Sequence, residues 1–267
     1  MTTDSGAQLR SLYQGEGGVT QIFSSKVTDY VASRPDYPAA LFEGLSLQCD
    51  LPPEATVVDV GAGTGLLTQG LLARGYRVWA MEPNAAMRAV ADHALAHWPG
   101  YRSAAASAES LPLADSSVDL ITAAQAFHWF DVDRARAEFM RVLRPQGQVA
   151  LIWNDRVAID PMQLALGEIL DHVGGAKRNA LVKHEERGDL TRFFGARVPS
   201  ELNWPHEHSL DEQGLLSLAF SRSYMPERDS ATGRQACEQL RQLYRRFASD
   251  GKLVVRYNTV AIIGRPD

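Results

Sequence analysis

The chain has 267 residues, of which 45% are hydrophobic and 22% are charged, and its formal net charge is −5 at pH 7. This length suffices for one large core with an added cap. The sequence has no Lys/Arg-rich run, which argues against a nucleic-acid partner, and no apolar run near the roughly 18 residues of a membrane helix. The first residues, MTTDSGAQLR, lack the features of a secretory signal, so we expect a cytoplasmic protein.

The first half of the chain alternates strand and helix patterns. Residues 22–50 are predicted to be helical, with interruptions at Pro35 and Pro38. The run TVVDV (56–60) is β-branched and apolar, as expected for a buried parallel strand. Further strands are predicted at 76–81, 101–106, 118–122 and 148–153, and helices at 66–74, near 87–98 and near 133–143. This order predicts an α/β fold with a doubly wound, mostly parallel sheet.

The pattern changes after residue 153. Asp160 and Pro161 resemble an N-cap followed by a first-turn proline, and they open a helix predicted to end near Val173. Residues 174–198 are polar and rich in glycine, and no element is predicted there. The remaining predicted elements are a strand at 201–210, helices near 211–221 and 232–249, and a strand at 252–264.

A glycine-rich loop follows the first strand in the sequence DVGAGTGLL (59–67). Ligands of open α/β sheets bind at the carboxyl ends of the strands, where this loop lies. A dinucleotide-binding loop requires G-x-G-x-x-G, but the sixth position counted from Gly61 is Leu66. A P-loop requires Gly-Lys-Ser/Thr, and the loop has no lysine. The pattern therefore disfavours both kinds of phosphate-binding loop.

Two acidic residues accompany the loop. Asp59 precedes the first glycine by two residues, and Glu82 ends the second strand. A carboxylate at the end of that strand is an acceptor for the two hydroxyls of a ribose, and Asp59 suits a cationic ligand better than a pyrophosphate. With the glycine loop, these acids resemble the class I S-adenosylmethionine-dependent methyltransferases. The chain is similar to the methyltransferase type 11 and trans-aconitate methyltransferase-like small-molecule subgroup, through YVASRPDYP (30–38), AAQAFHWFD (123–131), SRSYM (221–225) and VVRYNTVAIIGRP (254–266).

The resemblance implies a seven-stranded Rossmann-like sheet with a helical cap, and S-adenosylmethionine as the cofactor, released as S-adenosylhomocysteine. It implies that the glycine loop packs against the methionine moiety, that Glu82 binds the ribose, and that Pro83 and Met87 cover the adenine. Ser107 stands where the family usually has an aspartate for the adenine amino group. The implied cofactor-binding residues are Asp59, Gly61, Ala62, Gly63, Gly65, Glu82, Pro83, Met87, Ser107, Ala108, Glu109 and Gln125.

The predicted substrate side follows the fourth strand. His128 is the candidate general base for a hydroxyl or amine acceptor, whereas a carboxylate acceptor needs none. The alternative is that His128 and the aromatic residues next to it only pack together, as an aromatic corner of the fold. Arg222 is a candidate partner of a substrate carboxylate. The expected substrate or lid residues are Tyr30, Arg34, Tyr37, Trp129, Arg222 and Tyr224.

No metal site is expected. His93 and His97 lie four residues apart on a helix, but no third ligand accompanies them and a solvated face explains them better. Cys49 and Cys237 lie far apart and outside any C-x-x-C pattern, which supports neither a zinc site nor a disulfide framework.

The predicted function is methyl transfer from S-adenosylmethionine to a small-molecule carboxylate, hydroxyl or amine by in-line displacement, without nucleic-acid or membrane partners. Two alternatives stay open: an RNA or protein methyltransferase, and a non-catalytic regulator that binds S-adenosylmethionine. The expected organisation is a helical lid segment at 1–50, the cofactor-binding core at 51–154, a cap at 155–230, and a helix and strand completing the core sheet at 231–267.

Overall fold

A mostly parallel sheet forms the centre of the molecule. The computed structural model describes residues 11–13, 19–185, 187 and 189–267. The strands are β1 (Thr56–Val60), β2 (Arg77–Met81), β3 (Tyr101–Ala104), β4 (Val118–Ala124), β5 (Leu143–Arg156), β6 (Ser200–Leu210) and β7 (Leu253–Gly264). Within the described residues these seven strands form one sheet in the order β3-β2-β1-β4-β5-β7-β6, in which β7 is antiparallel to both neighbours and the other pairs are parallel. The predicted doubly wound, mostly parallel seven-stranded sheet is confirmed.

Helices cover both faces of this sheet. They are α1 (Val19–Ser33), α2 (Ala39–Gln48), α3 (Leu66–Leu72), α4 (Ala85–Leu95), α5 (Val132–Val142), α6 (Pro161–Glu185), α7 (Leu190–Phe194), α8 (Glu212–Phe220) and α9 (Ala231–Phe247), with a 3-10 turn at Phe127–Trp129. Several helices begin with a side chain that accepts a hydrogen bond from the first turn, as the sequence rules for N-caps predict. These caps are Asn84, Asp131, Asp160, Asp211 and Ser230.

The core is divided by the sheet into two layers. Val57 and Val58 are adjacent on β1, are both fully buried, and belong to different apolar clusters because successive strand side chains point to opposite faces. On one face Val58 shares a cluster with Phe139 of α5. On the other face Val57 shares a cluster with Leu41 of α2 and Leu71 of α3. Strands buried on both faces explain why β1 reads as a continuous apolar run.

A third apolar cluster lies beside the sheet. It joins Leu166 of α6, Phe220 of α8, Leu240 of α9 and Tyr257 of β7. The β6 strand falls within residues 155–230 and pairs with β7 along its whole length, so part of this range belongs to the sheet. The boundaries expected for the four parts of the chain stay a prediction. None of the helices in the described ranges is long and apolar enough to cross a membrane.

The predicted end of the helix near Val173 agrees with the structure, because α6 is interrupted at Gly175 by a non-helical backbone (φ 52°, ψ −136°). The prediction of no element at 174–198 was wrong. A second helical segment of α6 follows Gly175 and ends at Glu185, and α7 lies within the same range. Strand β5 is also longer than the predicted 148–153 and continues through Arg156.

Candidate functional site

A cavity of about 460 Å³ lies at the carboxyl ends of the parallel strands. Its walls include Val60 of β1, Ala124 of β4, Asn154 of β5 and Glu82, which follows β2. Since β1 pairs with β2 on one side and with β4 on the other, the cavity lies where the strand order reverses. A cavity of this size falls in the range of roughly 300–1,000 Å³ that is typical of small-molecule sites.

The three glycines of the loop after β1 all have positive φ angles, of 70° at Gly61, 58° at Gly63 and 87° at Gly65. Their surroundings differ. A Cβ atom added to Gly61 would lie 2.6 Å from Cβ of Ala126, and one on Gly65 would lie 2.7 Å from Cδ1 of Leu95. A Cβ atom on Gly63 would meet no atom closer than 3.8 Å. Packing therefore requires the outer two glycines, while the middle one leaves room beside the cavity.

The N–H groups of this loop are used within the protein. Those of Gly61 and Ala62 donate to the carbonyl oxygen of Met81, at 2.8 and 3.2 Å. The N–H of Gly63 donates to Oε2 of Glu82 at 2.9 Å. Phosphate-binding loops need such N–H groups free to donate to the anion. This loop directs them at protein acceptors, one of them a carboxylate, so it is poorly suited to a pyrophosphate.

Glu82 borders the cavity with acceptor capacity left over. Its Oε1 accepts from the N–H of Asn84 at 2.8 Å, while Oε2 accepts from Gly63. Burial raises the pKa of this carboxyl above its ordinary value, although the two backbone hydrogen bonds oppose the rise. A carboxylate offers about four lone-pair positions, so two N–H donors leave roughly two for a ligand. Two such positions match a pair of neighbouring hydroxyls.

Asp59 lies beneath the loop and is not part of the cavity wall. Its Oδ2 accepts from the hydroxyl of Thr68 at 2.7 Å and its Oδ1 accepts from Thr122 at 3.0 Å. Burial raises its pKa to about 6, since desolvation and the charge of Glu82 outweigh these hydrogen bonds. Asp59 borders, together with Ala62, a smaller space of about 20 Å³ next to the cavity. Contact between Asp59 and a cofactor stays a prediction.

Most of the other predicted cofactor residues border the cavity. Gly65 does not, because it begins α3 and packs against α4. Gln125 has a positive φ of 56°, unusual for a residue other than glycine, and its N–H donates to the carbonyl of Ile152 at 2.9 Å. The predicted cofactor residues that line the cavity are Gly61, Gly63, Glu82, Pro83, Met87, Ser107, Ala108, Glu109 and Gln125.

All predicted substrate and lid residues line the same cavity, although they come from distant parts of the chain. The guanidinium of Arg34 lies 4.5 Å from the ring centre of Tyr30. The His128 ring packs against Trp129, with ring centres 4.7 Å apart. His128 and Trp129 therefore pack against each other and also line the cavity. The substrate-side residues found there are Tyr30, Arg34, Tyr37, His128, Trp129, Arg222 and Tyr224.

Sequence reasoning missed several residues of the cavity wall. Arg156 ends β5, three residues beyond the predicted end of that strand at 153, and it follows the polar residues Asn154 and Asp155, so it lacks the signal that identified Glu82. Arg178 gave no signal, because it lies on the part of α6 that was predicted to have no regular element. Tyr257 of β7 reads in the sequence as an ordinary strand residue.

His93 and His97 do not line the cavity, and neither do the two histidines of β6, His206 and His208. His93 and His97 are exposed on and just after α4. His206 of β6 stacks on Tyr257, with ring centres 5.4 Å apart, and His208 contacts the carbonyl of Ser33 through Nε2 at 3.0 Å. Among the residues that the structure describes, no group of three or more His, Cys, Asp or Glu side chains is placed to hold a metal ion.

Comparisons with known proteins agree with this geometry. A family model described as a methyltransferase domain matches residues 58–151. An uncharacterized methyltransferase of Mycobacterium tuberculosis is 35% identical over 244 residues, which cover 90% of this chain and 93% of that protein. A malonyl-acyl carrier protein O-methyltransferase of Methylococcus capsulatus is 41% identical over 124 residues, which cover 43% of this chain and 42% of that protein.

A solved structure is also similar. This candidate type II methyltransferase from Anaeromyxobacter dehalogenans has 27% sequence identity and a TM-score of 0.62, and the match covers 88% of this chain and 99% of that chain. The sheet order, the glycine loop and the relatives together confirm the resemblance inferred from the sequence. The chain is an enzyme that transfers methyl groups, and it belongs to the class I S-adenosylmethionine-dependent methyltransferases.

Proposed function

We propose that this enzyme transfers a methyl group from S-adenosylmethionine to a small-molecule acceptor, with both molecules held in the cavity at the carboxyl edge of the sheet. The observation that carries the proposal is the continuity of this cavity. Gly63 and Glu82, which are joined by a hydrogen bond, line one side of this cavity. Aromatic and charged side chains from α6, from the segment after α1 and from the segment after α8 line the same cavity. A concave site of about 460 Å³ favours a small acceptor over RNA or a folded protein.

The glycine-loop end fits the cofactor. The free acceptor positions of Glu82 suit the ribose hydroxyls, and Pro83 and Met87 offer apolar surface for the adenine. The buried carboxyl groups of Glu82 and Asp59 favour a cation near the loop and disfavour an anion. When bound, S-adenosylmethionine supplies an electrophilic methyl group on a sulfonium.

The opposite wall would align the acceptor. Holding the two reactants in a near-attack geometry can lower the barrier by about 7–11 kcal/mol, which is the main task of a methyl-transferring site. An oxygen acceptor is supported by the Methylococcus capsulatus relative, whose name describes an O-methyltransferase. His128 is the cavity residue suited to take the proton from a hydroxyl, since imidazole is an effective base near neutral pH.

The proposal is tested by following label from methyl-labelled S-adenosylmethionine. The purified enzyme is incubated separately with a small-metabolite extract, with tRNA and with a peptide pool. We expect label to enter the small-molecule fraction, and at subsaturating S-adenosylmethionine we expect the Glu82→Ala variant to transfer less label because it lacks the ribose acceptor. Transfer into tRNA or peptides, with none into the metabolite fraction, would contradict a small-molecule acceptor.

A further inference from the structure

Four arginines from separate elements converge on the cavity. Arg34 follows α1, Arg156 ends β5, Arg178 lies on α6 and Arg222 follows α8, and all four line the cavity. Like charges repel most strongly in concave, poorly solvated sites, so this arrangement costs free energy as it stands. A bound group of opposite charge would remove that cost.

Of the four guanidinium groups, that of Arg156 has the fewest hydrogen-bond and ion-pair partners. Its Nη1 atom is buried and has no hydrogen-bond partner, and its side chain forms no ion pair within the described part of the chain. Leaving a buried charged donor unpaired is unfavourable. Burial lowers the pKa of this guanidinium, and the nearby charge of Arg222 lowers it further. The side chain is thus placed to gain from an acceptor that the protein itself does not provide.

The neighbouring arginines are mostly paired with neutral groups. Nη2 of Arg34 donates to the carbonyl of Ser221 at 3.4 Å, and its Nε is buried without a partner in the described residues. Arg222 donates to the carbonyl of Leu218. Arg178 is the exception, because it forms an ion pair with Asp171. The wall therefore carries more positive than negative charge.

The three acidic residues of the cavity wall, Glu82, Glu109 and Asp155, form no ion pair with these four arginines within the described part of the chain. Glu82 accepts from the glycine loop, as described above. Glu109 accepts from the N–H of Asp131 at 2.8 Å, and Asp155 forms an ion pair with Arg187. The positive side of the cavity is thus left for a ligand.

Two tyrosines stand among the arginines. Nη1 of Arg178 donates to the hydroxyl of Tyr224 at 3.1 Å. The hydroxyl of Tyr257 is buried, which raises its pKa, while the charges of Arg222, Arg34 and Arg156 oppose the rise. Three guanidiniums therefore act on one hydroxyl, and a tyrosine hydroxyl can donate a further hydrogen bond to an anion.

We propose that the acceptor carries an anionic group, a carboxylate or a phosphate, which is bound by Arg156 together with Arg222 and the adjoining Arg34 and Arg178. This inference rests on the proposed function, because it assigns the chemistry of the acceptor in that same cavity. A guanidinium presents paired N–H donors that match both kinds of oxyanion, and charge-assisted bonds of this type are the strong ones. The methyl-accepting atom need not belong to the anion.

The test measures anion binding with two probes, citrate for a tricarboxylate and inorganic phosphate, at constant ionic strength set with sodium chloride. Thermal unfolding of the full chain is followed with saturating S-adenosylhomocysteine present. We expect at least one probe to raise the Tm of the wild type above the chloride reference, and the stronger probe identifies the anion as carboxylate or phosphate. In Arg156→Gln the apparent Kd should rise about tenfold or more.

The matched control is Arg245→Gln. Arg245 lies on α9, where its exposed side chain pairs with Glu238, so the substitution removes one positive charge away from the cavity. This variant should respond to the probes as the wild type does. If Arg156→Gln fails to fold, Arg222→Gln serves in the same assay.

The inference is overturned if neither probe raises the Tm of the wild type above the chloride reference, or if the Arg156→Gln response equals that of the wild type. Calorimetric titration with S-adenosylhomocysteine in the same buffers distinguishes failure of this inference from failure of the proposed function. A wild-type enzyme that binds S-adenosylhomocysteine but neither anion contradicts only the anionic acceptor. One that does not bind S-adenosylhomocysteine contradicts the proposed cofactor site.

Discussion

The backbone N–H of Gly63 donates to Oε2 of Glu82 at 2.9 Å, which joins the loop after β1 to the end of β2. In a phosphate-binding loop the corresponding N–H would point at the ligand. Here it points at a carboxylate, so a pyrophosphate would meet a like charge and would find this donor already in use. A nucleoside with a positively charged sulfur meets neither obstacle. We therefore regard this one contact as the feature that separates the two classes of cofactor.

The middle glycine should be needed for binding more than for folding. In Gly63→Ala the positive φ of 58° costs about 1–2 kcal/mol of unfolding free energy, but the new methyl group meets no atom closer than 3.8 Å. The methyl group would narrow the space beside Glu82, so we expect weaker binding of S-adenosylhomocysteine by calorimetry.

Gly75→Ala is the matched control for this change. Gly75 also has a positive φ, of 85°, and a Cβ atom there meets nothing within 4 Å. Both variants should lose similar stability in urea titrations, and only Gly63→Ala should lose cofactor affinity. Equal affinity in the two variants would show that Gly63 does not border the bound cofactor.

Asp59 should make the folded state less stable as the pH rises. Its pKa is raised from 3.8 to about 6 in the fold, so the folded state holds this proton more tightly than the unfolded chain. The resulting stabilisation is fully present below about pH 4 and is lost as the pH rises through about 6. The predicted loss is about 3 kcal/mol, at 1.36 kcal/mol for each unit of pKa.

The measurement compares Asp59→Asn with the wild type by urea unfolding at about pH 4.5 and about pH 7.5. Asparagine does not titrate, and effects of other groups largely cancel in the difference. The unfolding free energy of the variant should therefore increase relative to the wild type between the two pH values. A difference that does not change with pH would mean that the carboxyl titrates normally in the fold.

His128 should act on turnover and not on cofactor binding. If it removes the proton from the acceptor, His128→Ala should lower kcat by roughly 10²-fold or more, while the Kd for S-adenosylhomocysteine stays unchanged. His93→Ala provides the control, because His93 is exposed on α4. Unchanged kcat in His128→Ala would indicate an acceptor that needs no base and would leave His128 with its packing role against Trp129.

The sheet and the glycine loop were predictable because their signals are local. Buried β-branched runs such as 56–60 specify strands without knowledge of the rest of the chain, and their order specifies the winding of the sheet. Glu82 was found because a charged residue at the end of an apolar strand must lie at the carboxyl edge. Its use as an acceptor for Gly63 was not predictable, since it depends on the shape of a loop from another strand.

The cap was less predictable, because its elements pack on each other at long range. The glycines at 174 and 175 suggested the end of a helix, yet a Cβ atom on Gly174 would lie 2.7 Å from Cδ2 of Tyr224, so this glycine also permits a tertiary contact. Arg178 reaches the cavity through the helix that continues beyond this point. Single-sequence patterns record periodicity well but do not record such contacts.

The central claim is tested most directly by calorimetric titration of S-adenosylhomocysteine and NAD into the wild type, Glu82→Ala and the control Glu43→Ala. Glu43 is exposed and pairs with Arg74 away from the cavity. We predict that the wild type and Glu43→Ala bind S-adenosylhomocysteine and not NAD, and that Glu82→Ala binds it at least about tenfold more weakly, as expected for the loss of charge-assisted hydrogen bonds. Equal affinity in folded Glu82→Ala, or tighter binding of NAD by the wild type, would contradict the account.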